Sequence, residues 1–361
     1  MKGKIQKLLE DFMKKKFFVM LALACIFSLT ACGQKQPAKE ESKPSESVEK
    51  HEDKSEEKDG KIVVTHAFGK TVLDKKPERV ASIGWGNQDI ALALGVSPVG
   101  MEKVAYGVPK GKEMQTWTEK ALKSLDKGEK PAIYDNLDGI NFEAIANTKP
   151  DVILAGYSGI TKEDYDKLSK IAPVIAYPKA PWATFWRDQV KIDAAGLGLA
   201  KEGDDLIAKT DDFIKKTIES KPALAGKKVL FMMLNAQDAS KFWVFGASDP
   251  RAAFMEDLGM TIPDSVKSHI KDGAFCAEVS TEQADQFKDV DMVVTYGNDK
   301  TLGQLQADPL ISKIPAVKNG AVAVIPDATP LAAACIPTPL SIQETLADYV
   351  KILDEAAQKS K

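Results

Sequence analysis

The stretch Asn141-Phe142-Glu143-Ala144-Ile145-Ala146-Asn147-Thr148-Lys149-Pro150-Asp151-Val152-Ile153-Leu154-Ala155-Gly156 decides the fold class. Residues 141–147 read as a helix ended by Lys149-Pro150, because proline cannot continue a helix. Asp151–Ala155 then brings an unbroken apolar run, the pattern of a strand buried on both faces. The same alternation follows at once, with a helix over Lys162–Ile171 and a strand over Val174–Tyr177. Strands alternating with helices predict a mostly parallel sheet flanked by helices.

Working outward from there, the preceding residues keep this rhythm. Arg79–Ile83 is a short buried strand, Gln88–Leu94 a helix stopped by Gly95, and Val96–Val99 the next strand. Lys61–Ala67 and Thr71–Leu73 flank Gly69 as a hairpin. Downstream, Thr184 to Glu219 is helical throughout, with weak points at Gly196-Leu197-Gly198 and Gly203. Such a stretch would make about 50 Å of helix, long enough to cross two domains. A second strand–helix series covers Lys228–Leu234, Trp243–Phe245, Arg251–Leu258, Asp291–Tyr296 and a closing helix at Leu340–Ala357. The 361 residues thus divide into two α/β lobes, 61–180 and 222–361, each with a central mostly parallel sheet, bridged by one long helix within 181–221.

The residues before 61 are of another kind. Lys14-Lys15-Lys16 and the uncharged run Phe17–Leu29 form a secretory leader, and Leu29-Thr30-Ala31-Cys32 resembles a bacterial lipobox. Residues 1–31 are therefore a signal peptide, with Met13 an alternative start, and Cys32 carries the lipid, of the palmitate type. Residues 32–60 form a charged tether of Lys, Glu, Ser and Pro with too little apolar surface to fold. The chain's net charge is −3, and the leader carries six lysines against one Glu and one Asp, so its loss leaves −7. That balance excludes bulk binding of nucleic acid. The three histidines, His51, His66 and His269, lack ligand spacing, so no metal site is expected. Cys276 and Cys335 read as buried thiols more readily than as a disulfide.

Catalytic motifs fail. Gly84-Trp85-Gly86-Asn87-Gln88-Asp89 approaches a dinucleotide fingerprint, but Asp89 replaces its third glycine and would repel a pyrophosphate. Gly69-Lys70-Thr71 lacks the first glycine of a P-loop, and Gly156-Tyr157-Ser158-Gly159 lacks the spacing of a hydrolase elbow. No enzyme and no cofactor are expected. What stands out instead is the placement of aromatic and guanidinium groups. Trp85, Tyr157 and Tyr296 fall in loops beyond strand ends, where open parallel sheets bind ligands. Trp182 and Trp186 stand where the first lobe enters the bridge, and Trp243 near the start of the second lobe. Lysines outnumber arginines 46 to 3, so an arginine suggests a need for a planar fork. Arg79 reads as structural, whereas Arg187 and Arg251 read as anion-binding candidates or ordinary ion pairs.

Pro77-Glu78-Arg79-Val80-Ala81-Ser82, Leu94-Gly95-Val96-Ser97-Pro98-Val99-Gly100, the 141–156 stretch, Leu168-Ser169-Lys170-Ile171-Ala172-Pro173, Pro181-Trp182-Ala183-Thr184-Phe185-Trp186-Arg187, Asp249-Pro250-Arg251, Leu258-Gly259 and Pro339-Leu340-Ser341-Ile342 occur in that order behind the lipobox. This ordered set resembles the iron–siderophore binding lipoproteins of ABC importers, the family that also holds cobalamin- and haem-binding members. The resemblance spans about residues 61 to 355. It implies a class III periplasmic-binding-protein-like fold and a monomer on the extracytoplasmic face of the cell membrane, held there by its lipid alone. It further implies capture of a ferric siderophore between the lobes and delivery to a permease with its ATPase. Haem, cobalamin or another large chelate is the alternative ligand, and adhesion or signalling without transport the alternative role. Ligand contacts are then expected from Trp85, Tyr157, Trp182, Trp186, Arg187, Trp243, Arg251 and Tyr296. Permease docking is expected at Glu143, which fits an Asn-x-Glu-x-Ile pattern, and at Glu256.

Overall fold

Val152, Ile153, Leu154 and Ala155 are all fully buried, as a strand covered on both faces must be. The computed structural model that shows this describes residues 56–58, 60–125, 130–271 and 273–360. The leader, Cys32 and most of the tether lie outside the described residues.

The first lobe begins with β1 (Glu56–Lys58), β2 (Lys61–His66) and β3 (Gly69–Leu73), an antiparallel sheet of three strands. β1 falls within the tether read from the sequence, so the folded body starts earlier than expected there: backbone pairing to β2 holds residues that have nothing to bury. The main sheet follows as β4 (Val80–Ser82), β5 (Gly100–Glu102), β6 (Ala132–Tyr134), β7 (Val152–Ala155) and β8 (Val174–Ala176). Their order is β6-β5-β4-β7-β8 and every ladder is parallel. The strand expected at Val96–Val99 begins instead at Gly100. Val96 is still bonded back to Ala91 of the preceding helix, and Pro98 has no N–H for a ladder.

The second lobe contains β9 (Val229–Leu234), β10 (Lys241–Phe245), β11 (Cys276–Ser280), β12 (Met292–Gly297) and β13 (Val322–Pro326), in the order β11-β10-β9-β12-β13. β9, β12 and β13 are parallel, while β10 runs antiparallel to both its neighbours.

Between the lobes the expected single helix is two helices, Trp186–Gly196 and Ala200–Glu219. The break is a Schellman stop. Gly198 takes φ +65°, its N–H bonds to the Ala195 carbonyl, and Leu199 N–H bonds to that of Ala194. The glycines flagged in the sequence as weak points thus end a helix and turn the chain. At Gly203 a Cβ would stand 2.6 Å from that of Ala194, so the two helices pack closely there. The bridge is the second helix alone, about 30 Å long. Trp117 belongs to the helix Thr116–Leu125 and is buried, although the residues around it are charged. Its outward face carries the charges that gave the segment a loop-like look.

The lobes share a core. Ile90, Trp186 and Val190, from first-lobe helices, sit in one apolar cluster with Phe231, Val293 and Leu346 of the second lobe. Arg187 fastens the same junction. Its Nη1 donates to Asp257 (2.8 Å), its Nε to Asp211 (3.1 Å), and its guanidinium lies 4.3 Å above the Trp186 ring. Trp186 Nε1 donates to Asp257 as well (2.9 Å).

The buried carboxylate of Asp89 completes the junction. Oδ1 accepts from Thr118 (2.7 Å), while Oδ2 accepts from Trp117 (2.7 Å) and from Thr338 (2.9 Å), the N-cap of the closing helix Pro339–Ala357. Burial nevertheless pushes its pKa up to about 6.

Two outcomes are expected. Arg187→Ala should cost about 1–2 kcal/mol of stability, read as a lower thermal midpoint, because Asp211 and Asp257 both lose the guanidinium and Asp257 keeps only Trp186 Nε1. Asp89 holds its proton more tightly folded (about 6) than unfolded (3.8), so its contribution is full below pH 4 and fades as pH rises through 6. The stability of the wild type relative to Asp89→Asn should therefore fall from pH 4 to 7, by on the order of 2 kcal/mol, in denaturant titrations.

Candidate binding site

β4 and β7 are neighbours, but the chain leaves them toward opposite edges of the sheet, β5 and β6 on one side and β8 on the other. That makes their carboxyl ends the topological switch point, where such sheets form crevices. From β4 the chain passes through Ile83-Gly84-Trp85-Gly86 into the helix Asn87–Ala93. From β7 it passes through Gly156-Tyr157-Ser158.

Buried amides lock these two loops together. Asn87 Nδ2 donates to the carbonyls of Ile83 (2.6 Å) and Tyr157 (3.1 Å), and its Oδ1 accepts from Tyr157 N–H (3.0 Å). Gln189 Nε2 donates to the Trp85 carbonyl and to Asn87 Oδ1, both at 2.9 Å. Gly84 takes φ +81°, and a Cβ there would stand 2.5 Å from the Tyr157 carbonyl oxygen, so only glycine fits. Its N–H donates to Glu102 Oε2 (2.7 Å), which also accepts from Asn136 Nδ2 (3.1 Å).

The result is a cleft of about 170 Å³ bordered by Trp85, Trp182, Tyr106, Trp117, Glu102 and Lys103, among others. Trp182 stands edge-on to Tyr157, with ring centres 5.3 Å apart. From the second lobe, Tyr296 approaches Tyr106 (6.5 Å between centres), and Tyr106 Oη donates to Asp327 (2.8 Å) across the mouth. Arg251 is gripped by its own neighbour, Nε to Asp249 Oδ1 at 2.8 Å and Nη2 to Oδ2 at 2.7 Å, and lies 4.0 Å over the Phe245 ring. Burial pushes the Tyr157 hydroxyl upward in pKa. Asp249 adds to the shift and Arg251 opposes it, so this second-lobe ion pair is felt by a first-lobe tyrosine.

The residues nominated from sequence therefore separate. Trp85 and Trp182 border the cleft, with Tyr157 packed against Trp182, and Arg251 and Tyr296 face Tyr157 and Tyr106 from the other lobe. Trp186 and Arg187 are joined to Asp211 and Asp257 at the lobe junction. Trp243 lies on β10 opposite Met233 and Glu278, against the second-lobe core. Glu143 and Glu256 are both exposed, in the first turn of one helix and near the end of another. Cys276 and Cys335 are free thiols that burial pushes up to a pKa of about 11. Sequence reasoning missed Asn87, Gln189, Glu102 and Tyr106. Among the described residues, no group of three or more His, Cys, Asp or Glu could hold a metal ion, and no helix is long and apolar enough to cross a membrane.

Residues 80–329 match the periplasmic binding protein family. The chain is 56% identical to PiaA of Streptococcus pneumoniae TIGR4, whose structure in complex with ferrichrome superposes with a TM-score of 0.80 over 83% of this chain and 99% of that one. It is 27% identical over 272 residues to the Fe(3+)-citrate-binding protein YfmC of Bacillus subtilis, covering 74% of this chain and 79% of that one. The Bacillus subtilis protein YhfQ, named as an ABC transporter substrate-binding lipoprotein, is 35% identical over 119 residues, and the match spans 34% of its length. The names are those of binding proteins, and the family is one of substrate-binding proteins and not of enzymes. With its parallel strand–helix units, its helix-bridged lobes and a match that runs from β4 past β13, the chain belongs to the periplasmic binding protein family of ABC-importer substrate-binding proteins.

Proposed function

We propose that this chain is the lipid-anchored, extracytoplasmic receptor of an ABC importer, that it captures a ferric siderophore in the cleft, and that it hands the chelate to the permease. The observation that carries the reading is a cleft walled by Trp85, Trp182 and Tyr106, with no cluster of metal-ligating side chains among the described residues. Iron would enter already wrapped, and flat aromatic faces suit the arms of a chelator. The PiaA–ferrichrome complex makes a ferric hydroxamate the first ligand to test. Trp85, Tyr157, Trp182, Arg251 and Tyr296 are the proposed contacts. The lipobox at Cys32 supports the anchor, and exposed Glu143 and Glu256 are the proposed docking carboxylates.

Tryptophan fluorescence of the mature chain from Cys32, titrated with ferrichrome, a ferric catecholate, haem and cobalamin, tests this. Saturable quenching by a ferric chelate is expected. Silence across the panel from folded protein overturns the reading. Trp85→Ala and Trp182→Ala should each weaken ferrichrome binding by about tenfold or more, with the thermal midpoint nearly unchanged. Glu143→Ala should leave binding intact and slow uptake of radiolabelled iron by cells; normal uptake removes the docking role.

A further inference from the structure

Two cations at the cleft, Lys103 in its lining and Arg251 of the second lobe, are matched by carboxylates. Arg251 is chelated by Asp249, and the Lys103 ammonium stands 3.0 Å from Asp135 and 3.9 Å from Glu113. Asp89 has its acceptors filled by Trp117, Thr118 and Thr338. Glu102 differs. Oε2 is fixed by Gly84 N–H and Asn136, and among the described residues Oε1 has no hydrogen-bond partner, on a side chain that borders the cleft. The same two bonds fix the direction of the carboxyl group, and the loop that carries Gly84 is itself held on both sides, Ile83 N–H donating to the Leu154 carbonyl and Trp85 N–H to that of Tyr157, both at 3.0 Å.

Resting on the receptor reading above, we propose that Glu102 is the charge-selecting residue of the cleft: its free oxygen receives an ammonium or N–H donor of the chelate, favouring cationic and neutral ferric complexes over anionic ones. Iron(III) bound by three hydroxamates has no net charge, so a pendant amine makes the whole complex cationic. A ferric tris-catecholate carries three negative charges and meets a fixed carboxylate, while Lys103 beside it is already paired with Asp135. In a partly buried cleft that repulsion is screened less than at a surface.

The test uses a matched pair of chelates, ferrioxamine B with its pendant ammonium and the same complex N-acetylated, titrated into the mature chain by fluorescence. The wild type should bind the ammonium form about tenfold more tightly, the scale of one hydrogen bond to a charged group. In Glu102→Gln that preference should vanish. Equal affinities in the wild type, or an unchanged preference in Glu102→Gln, overturn the proposal while leaving the receptor reading standing. Should the variant not fold, salt decides on the wild type alone. Raising NaCl should weaken binding of the ammonium form and leave the acetylated form nearly unaffected, and equal salt responses overturn the proposal. If neither complex, nor ferrichrome, quenches the fluorescence, the receptor reading falls and this inference with it.

Discussion

The lobe junction depends on a carboxylate that water cannot reach. Asp89 lies at the start of the helix behind the cleft, and its partners come from two further helices, one of them the N-cap of the closing helix. An ionised group in that position is tolerable only while all three donors stay in place, since a buried charge without partners is among the costliest features a fold can hold. Thr338 cannot move away without exposing that cost. The position of the second lobe over the first is therefore set by hydrogen-bond geometry as well as by apolar packing, and Arg187 with Asp211 and Asp257 repeats the device on another side of the junction.

The cleft inherits its order from this arrangement. Its walls are loops, which ordinarily are the mobile parts of a protein. Here Asn87 and Gln189 satisfy the carbonyls of Ile83, Trp85 and Tyr157, so the loops carry few unmet polar groups and little freedom. Aromatic rings mounted on such a frame present their faces without first having to be ordered, which lowers the entropic cost of binding a rigid ligand. Across the mouth, half-buried Tyr106 meets exposed Asp327 through one hydrogen bond and approaches the Tyr296 ring.

Much of the scaffold is legible in the sequence because its strands are short and apolar throughout; 152–155 could hardly be anything else. The helix Thr116–Leu125 is harder to read: Trp117, Ala121 and Leu125 recur at helical spacing, but Glu119, Lys120 and Lys123 between them give the segment the composition of a loop. Rarity marked Arg187 and Arg251 correctly as groups needing a planar fork, but rarity does not say whose oxygens they meet. Arg251 found those of Asp249, two residues before it, and Arg187 those of Asp211 and Asp257. Asp89 shows the limit most clearly. Its local context excludes a pyrophosphate, yet its purpose is to meet Thr338, 249 positions along the chain, which no local pattern can reveal.

The shared core also decides where the molecule could be cut and recombined. Ile90, Trp186 and Val190 belong to the first lobe by chain order and to the second by what they touch. A chimera that joined the first lobe of this chain to the second lobe of a relative at the visible cleft would tear that cluster open. Nor could the helices Asn87–Ala93 and Trp186–Gly196 simply travel with the second lobe, since Ala91, Ile192 and Ala195 on their other faces pack with Val80, Val152 and Leu154 of the first-lobe sheet. Packing on both faces of those helices makes the two lobes one unit for exchange, although the chain order and the cleft suggest two.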